Sequence, residues 1–200
     1  MTQALPIVEH FYTLQGEGAF AGKAAYFIRT AGCDVGCVWC DTKNSWNINE
    51  HQEIELEILL QKIKENNAEI AVITGGEPLM HNLDTLTYLL KKNNIRTHLE
   101  TSGAYAISGK WDWITLSPKK FKQPLPNLIK NANELKIIVF TLHDLQWAET
   151  FVEQVSPSCK LFLQSEFSKS NEMMPHIINY IKNNPHWQLS LQTHKILNIP

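Results

Sequence analysis

Short apolar runs alternate with helical patterns along most of this chain, and this alternation restricts the possible fold more than any other feature. Each run is long enough for one buried strand, and each helical pattern repeats apolar residues every three or four positions. This order is typical of α/β proteins, in which right-handed crossovers place helices outside a mainly parallel sheet. We predict strands over residues 7–12, 24–29, 70–74, 97–100, 111–116, 135–140, 160–163 and 187–191, and helices over 53–66, 83–92, 142–155 and 171–182, with Pro175 in the first turn of the last helix.

The length of 200 residues favours one domain over residues 1–200 and is short for a complete eightfold barrel of about 250 residues. We therefore predict a partial, open (β/α) barrel. A formal net charge of −2 gives no electrostatic reason to expect nucleic acid or an anionic membrane as a direct partner. Residues 1–18 lack a basic region followed by an apolar run, and no stretch reaches the roughly 20 apolar residues of a membrane span, so we expect a cytoplasmic protein.

Polar residues stand at or just after the carboxyl ends of several predicted strands. Active sites of parallel α/β proteins are assembled at that edge of the sheet, so we expect these side chains to surround one site. One of them, Arg29, is among only two arginines in the chain, and its planar guanidinium suits bidentate binding of a carboxylate. The full set is Arg29, Thr74, Glu100, Ser117, Gln164 and Gln192.

Three of the four cysteines, Cys33, Cys37 and Cys40, fall within eight residues of the segment that follows the second predicted strand. In a cytoplasmic protein such clustered thiols are more typical of ligands or catalysts than of disulfides. A zinc site completed by a histidine, a redox pair at Cys37 and Cys40, and an iron-sulfur cluster are all open interpretations. Three thiolates would leave one iron of a 4Fe-4S cluster able to bind a small molecule. We interpret Cys159 as a small buried side chain.

The segment from Cys33 to Cys40, which reads Cys-x3-Cys-Val-Trp-Cys, resembles the signature of the radical S-adenosylmethionine (SAM) superfamily. Residues 74–78, Thr-Gly-Gly-Glu-Pro, are similar to its glycine-rich segment. This resemblance implies a radical SAM type fold in which the open iron of the cluster binds SAM and electron transfer yields a 5'-deoxyadenosyl radical. Within the superfamily the chain most resembles the 7-carboxy-7-deazaguanine synthases of queuosine biosynthesis, through residues 11–18, 29, 40–42, 74–78, 100–103, 117–119, 134–136, 192–195 and 198–200.

The family resemblance implies a Mg2+-dependent lyase that contracts the ring of 6-carboxy-5,6,7,8-tetrahydropterin with loss of ammonia and regenerates SAM. It also implies a homodimer that receives electrons from a flavodoxin or ferredoxin and serves a tRNA modification pathway. No catalytic residue is assigned beyond the cluster and SAM site. On the family pattern the substrate would contact Leu14, Gln15, Gly16, Arg29, Thr74 and the terminal carboxylate of Pro200.

The cofactors would occupy a second set of residues on the same pattern. Cys33, Cys37 and Cys40 would hold the 4Fe-4S cluster, and the hydroxyl of Thr42 would bind Mg2+, which prefers oxygen ligands. Residues 165–167 lack the proline that the family pattern has after the glutamine, so no SAM contact is assigned beyond Gln164. SAM would contact Trp39, Gly76, Ser117, Pro118, Lys119 and Gln164.

Two alternative functions remain open at this point. A radical SAM activase that makes a glycyl radical on a partner protein would share the cysteines, but it would not require residues 14–18 or 198–200. A zinc-stabilised binding module would be colourless, whereas a 4Fe-4S protein would be brown and contain about four irons per chain. His194 lies in the matching tail and is left without a role.

Overall fold

Nine strands form one sheet in the computed structural model, which describes residues 3–200 and leaves Met1 and Thr2 of the predicted domain outside the described residues. In chain order they are β1 (Ala4–Leu14), β2 (Ala24–Thr30), β3 (Gln52–Glu55), β4 (Ile70–Gly75), β5 (Arg96–Thr101), β6 (Trp113–Leu116), β7 (Glu134–Val139), β8 (Lys160–Ser165) and β9 (Trp187–Leu189). Their order across the sheet is β3-β1-β2-β4-β5-β6-β7-β8-β9. From β2 through β4 to β9 neighbouring strands are parallel, whereas β1 is antiparallel to both β2 and β3. The sheet is mainly parallel and open, as predicted.

The α-helices connect and cover the strands. The first of them shows how the apolar spacing produces the packing, because Leu56, Leu59 and Ile63 are buried on one face while most of the residues between them are exposed. Burial of each such side chain contributes about 1.5–3 kcal/mol. None of the helices in residues 3–200 is long and apolar enough to cross a membrane. The helices are α1 (Leu56–Glu65), α2 (Asp84–Lys92), α3 (Pro126–Asn131), α4 (His143–Val152), α5 (Ser170–Asn183) and α6 (Thr193–Leu197).

Three details differ from the predicted elements. Residues 53–55 belong to β3 and not to the first helix, because this mostly exposed edge strand pairs with β1 through its backbone and needs no apolar alternation. The short helices α3 and α6 were not predicted. Pro175 is the sixth residue of α5, so its predicted place in the first turn is wrong. The carbonyl four residues earlier belongs to exposed Asn171, where water can replace the missing hydrogen bond.

Candidate active site

A cavity of about 270 Å³ opens at the carboxyl-terminal edge of the parallel strands. The sheet register explains why distant residues meet there: Arg29 on β2 stands opposite Thr74 on β4, and Glu100 on β5 follows on the next strand. Because parallel strands end at the same edge, the strand-end polar residues lie around one cavity, and their assignment to an active site stays a prediction. All six line the cavity: Arg29, Thr74, Glu100, Ser117, Gln164 and Gln192.

Most of the residues predicted for ligands also line this cavity. Pro118 is the exception, since it is buried and lies outside the cavity wall. The remaining residues of the predicted substrate set that line it are Leu14, Gln15, Gly16 and Pro200; those of the predicted cofactor set are Trp39, Gly76, Lys119, Cys33, Cys37, Cys40 and Thr42.

The cysteine loop, residues 31–42, carries three thiols to one side of the cavity. Its base is closed by hydrogen bonds from Gly32 N–H to Ser45 O (2.7 Å) and from Cys33 N–H to Trp46 O (3.2 Å). Burial raises the pKa of the Cys33 and Cys37 thiols, so both are neutral until a metal displaces their protons. Within residues 3–200 no three His, Cys, Asp or Glu side chains form a compact metal-ligand group. The donor set of three soft thiols suits an iron-sulfur cluster, and the loop would have to draw them together around it.

Glycine at position 76 is required by the approach of β4 to the cysteine loop. A Cβ atom on Gly76 would lie 2.4 Å from Gly32 O and 2.7 Å from Cys33 Cβ. The two segments are joined there by hydrogen bonds from Gly76 N–H to Thr30 O (3.1 Å) and from Glu77 N–H to Gly32 O (2.8 Å). Only a residue without a side chain allows this contact. The Gly-Gly turn therefore supports the cysteine loop as well as lining the cavity.

Glu77, the acidic residue of the same motif, is completely buried and serves the protein rather than a ligand. Its carboxylate accepts hydrogen bonds from Thr101 Oγ1 (2.6 Å), from Ser102 N–H (2.8 Å) and Oγ (2.5 Å), and from Leu79 N–H (3.1 Å). These four bonds satisfy the buried charge and tie the end of β4 to the end of β5. The sequence places both motifs at strand ends but does not indicate that they bond to each other.

Arg29 is half-buried at the cavity wall, and its Nε–H donates to the Glu9 carboxylate at 2.7 Å. Because Nε is occupied, a carboxylate in the cavity would be bound through the two terminal nitrogens of the guanidinium. Glu9 thus sets the direction in which Arg29 can present its remaining donors.

Thr42 and Lys119 stand close to the thiols. Thr42 Oγ1 lies 3.7 Å from Cys40 Sγ, and the Thr42 N–H donates to the same sulfur at 3.4 Å. Lys119 Nζ donates to both Ser117 O and Ser117 Oγ at 2.6 Å and lies 5.7 Å from the ring centroid of Trp39. Burial lowers the pKa of Lys119 to about 8. Lys119 thus gives this side of the cavity a positive group that can meet an anionic ligand.

A second group of polar residues lines the cavity, with Gln15 and Lys136 buried and the others partly exposed. We call this group the charged floor: Gln15, Glu17, Glu100, Lys136 and Gln192. Lys136 Nζ donates to the Glu17 carboxylate and to Glu100 Oε2 at 3.2 Å. Burial alone would raise the pKa of Glu17, yet the Lys136 ammonium brings it down to about 2. No role was predicted for Lys136. A lysine between Leu135 and Ile137 in an apolar strand does indicate a buried, paired charge, because lysine is rarely buried without a partner.

Gln164 and His194 are positioned by the C-terminal part of the chain: Ser190, just after β9, bonds to Gln164, and α6 carries His194. Ser190 Oγ donates to Gln164 Oε1 at 2.6 Å and accepts from Gly18 N–H at 3.0 Å. A Cβ atom on Gly16 would lie 2.2 Å from His194 Nδ1, so this glycine makes room for the imidazole. Burial lowers the pKa of His194, against the opposing charge of Glu17. His194 therefore belongs to the cavity wall as a mainly neutral group.

Exposed contacts tie the cysteine loop to its surroundings. Lys122 Nζ binds both carboxylate oxygens of Asp34 at 3.0 and 2.8 Å, and the Tyr105 hydroxyl donates to Asp34 Oδ2 at 2.5 Å. At the other end of the loop Lys195 Nζ binds Asp41 Oδ2 at 2.9 Å. Both aspartates are more than half exposed, so these pairs are screened by solvent.

Known proteins resemble this chain over nearly its whole length. The sequence pattern of the radical SAM superfamily matches residues 27–139. A 7-carboxy-7-deazaguanine synthase of Flavobacterium psychrophilum is 50% identical over 198 residues, covering 99% of this chain and 94% of that protein. The synthase of Escherichia coli K12 is 37% identical over 221 residues, covering 97% of this chain and 98% of that protein. The crystal structure of QueE from Escherichia coli superposes with a TM-score of 0.83 at 32% identity, covering 94% of this chain and 93% of that one.

Proposed function

The chain belongs to the 7-carboxy-7-deazaguanine synthase family of the radical SAM superfamily, and we propose that it contracts the ring of 6-carboxy-5,6,7,8-tetrahydropterin with loss of ammonia. It is a radical SAM enzyme whose cofactors are a 4Fe-4S cluster and SAM. The observation that carries the proposal is the single cavity lined by the three thiols, by Arg29 and by Pro200. The product is 7-carboxy-7-deazaguanine.

Cys33, Cys37 and Cys40 hold the cluster in this proposal and leave one iron for SAM. When bound, the cluster and SAM would supply the radical chemistry that removes a hydrogen atom from the substrate and later returns it. The protein itself binds, orients and shields the reactants. The SAM contacts are Trp39, Gly76, Ser117, Lys119 and Gln164, all of which line the cavity, with Pro118 behind the wall as part of the Ser117 turn.

The substrate lies between Arg29 and the charged floor in this proposal. Arg29 would bind the carboxylate through its terminal nitrogens, and the Thr42 hydroxyl would be a ligand of Mg2+. Glu100 lies two strand positions across the sheet from Arg29, which is roughly 10 Å at the usual strand spacing. This span suits a bicyclic pterin. The other substrate contacts are Leu14, Gln15, Gly16, Thr74 and Pro200.

The alternatives carry less support. Because the chain belongs to the radical SAM superfamily, a zinc-stabilised binding module is excluded as its function. The activase would act on a partner protein, but the relatives that match this chain from end to end are synthases. A flavodoxin or ferredoxin as electron donor, a homodimer, a cytoplasmic location and a single domain over residues 1–200 stay predictions.

The decisive experiment is anaerobic incubation of reconstituted protein with SAM, a reductant, Mg2+ and the carboxytetrahydropterin. We expect mass spectrometry to detect 7-carboxy-7-deazaguanine and no net consumption of SAM. Accumulation of 5'-deoxyadenosine without that product would leave the radical chemistry in place and sink the substrate assignment.

A further inference from the structure

Lys136 lies at the centre of the charged floor and is the group that joins its parts. The side chain is only 4% exposed, and its ammonium bridges Glu17 from the β1–β2 turn and Glu100 from β5. These two carboxylates come from segments far apart in sequence, and Lys136 is the side chain that bonds to both of them. A buried ammonium between two carboxylates binds both through charge-assisted hydrogen bonds.

The two carboxylates in turn fix two amide side chains at the cavity wall. Glu100 Oε1 accepts from Gln15 Nε2 at 2.8 Å, and Gln15 Oε1 accepts from Glu17 N–H at 3.1 Å. The amide of Gln15 therefore cannot exchange its oxygen and nitrogen positions without losing both bonds. Glu17 Oε1 accepts from Gln192 Nε2 at 3.0 Å, which holds Gln192 in the same way.

A buried ion network of this kind is a costly means of stabilising a fold. Removing charges from water costs several kcal/mol per ion, and apolar side chains of similar volume often stabilise a core equally well. Leu135, Ile137 and Val139 are buried on one face of β7, whereas Lys136 projects from the other face, which lines the cavity. The ion network therefore adds nothing to the apolar packing of that strand. The position of the network at the wall of the cavity supplies a different reason for its presence.

We propose that Lys136 is a positioning residue, which orients Gln15 and Gln192 for ligand binding by holding Glu17 and Glu100 in place. This inference rests on the proposed function, because its ligand is the carboxytetrahydropterin. The charged or titratable groups that face Lys136 are Glu17, Glu100, Glu134, Lys119 and His194. The carboxylates among them hold the pKa of Lys136 above its ordinary value in spite of burial. The ammonium therefore keeps its charge at every pH near neutrality.

The test compares Lys136→Met with the double variant Lys136→Met, Glu17→Gln, which removes one charge of each sign. For both reconstituted proteins, iron content, SAM cleavage and the KM and kcat for the carboxytetrahydropterin are measured beside the stability of the fold. We expect iron content close to that of the unaltered protein, a KM raised at least about tenfold, and more 5'-deoxyadenosine released per product formed. In the double variant stability recovers while the raised KM persists, because the amides still lack their positioned partners.

Lys91→Met is the matched control, since Lys91 also forms an ion pair, with Asp112 at 2.5 Å, but does not line the cavity. We expect its KM to stay unchanged. A KM within about twofold of the unaltered protein in Lys136→Met would overturn the inference, and so would recovery of KM together with stability in the double variant. If Lys136→Met does not fold, the double variant decides alone. Absence of turnover in the unaltered protein would instead sink the proposed function, and this inference with it.

Discussion

The charged floor and the cysteine loop line the same cavity, but they are held in different ways. On the floor, Lys136 is almost fully buried, its two carboxylate partners are mostly buried, and Glu100 bonds to buried Gln15 as well. On the loop, Asp34 and Asp41 are exposed, and solvent weakens their pairs with Lys122 and Lys195. From this comparison we expect folding alone to order the floor, and we expect the loop to reach its final order only when it binds the proposed cluster.

Loss of one ligand in the loop is the largest effect that we expect. Cys37→Ser removes a soft thiolate, so the protein should lose most of its iron and all detectable product formation. The control is Cys159→Ser, because burial raises the pKa of that thiol to about 12 and it lies outside the cavity. Iron analysis and the anaerobic assay compare the two. Equal loss of iron in both variants would contradict the assignment.

The ion pair between Glu17 and Lys136 should make the free energy of unfolding depend on pH. The folded pKa of Glu17 is about 2 against an ordinary 4.5, so its stabilisation is complete above the ordinary value and is lost as pH falls towards 2. Glu17→Gln lacks this contribution, which amounts to at most about 3 kcal/mol. Urea denaturation from about pH 7 to about pH 2 should therefore give two curves of unfolding free energy that converge only at the low end of this range. Parallel curves would show that Glu17 is not ionised against Lys136.

Gly76→Ala tests the contact between β4 and the loop. The added methyl group meets Gly32 O and Cys33 Cβ, so the loop must move, and we expect a loss of about 1–3 kcal/mol in unfolding free energy. The iron content should fall as well. Gly22→Ala is the control, because its Cβ meets no atom within 4 Å although its φ of +83° carries backbone strain. Full iron content in Gly76→Ala would mean that the loop tolerates displacement.

Thr42→Ala separates the magnesium from the cluster within the loop. We expect unchanged iron and a rise of about tenfold in the Mg2+ concentration that gives half-maximal turnover, since one oxygen ligand is lost. Thr42→Ser keeps the hydroxyl and should keep the Mg2+ dependence. If Thr42→Ala shows the same Mg2+ dependence of turnover as the unaltered protein, Thr42 does not bind the metal.

The smallest effect should come from the exposed pair. Lys122→Met leaves Asp34 with the Tyr105 hydroxyl alone, and turnover should stay within about twofold of the unaltered protein. Release of iron to a chelator should be faster. A change as large as that of Gly76→Ala would show that the exposed contacts, and not the cluster, order the loop.

The sequence allowed the site to be located because strand ends in a parallel sheet share one edge, so Arg29, Thr74 and Gln164 could be placed together without coordinates. It could not show what Glu77 and Lys136 contact. Glu77 bonds to residues about 25 positions later and Lys136 to Glu17, 119 positions earlier, and both contacts depend on strand order. The edge strand β3 was missed for a related reason, since its backbone pairing leaves no apolar pattern.

Several bonds join the β1–β2 turn to the last segment of the chain, among them two to Gly16 O, which accepts from the N–H and the hydroxyl of Thr193, each at 2.9 Å, across 177 positions of sequence. During synthesis the cysteine loop leaves the ribosome long before α6. The Gly16 carbonyl can therefore accept these bonds only after nearly all of the chain has been synthesised. A cell that loads iron onto the nascent chain would do so at an unfinished cavity, which makes delayed cluster insertion the safer order of assembly.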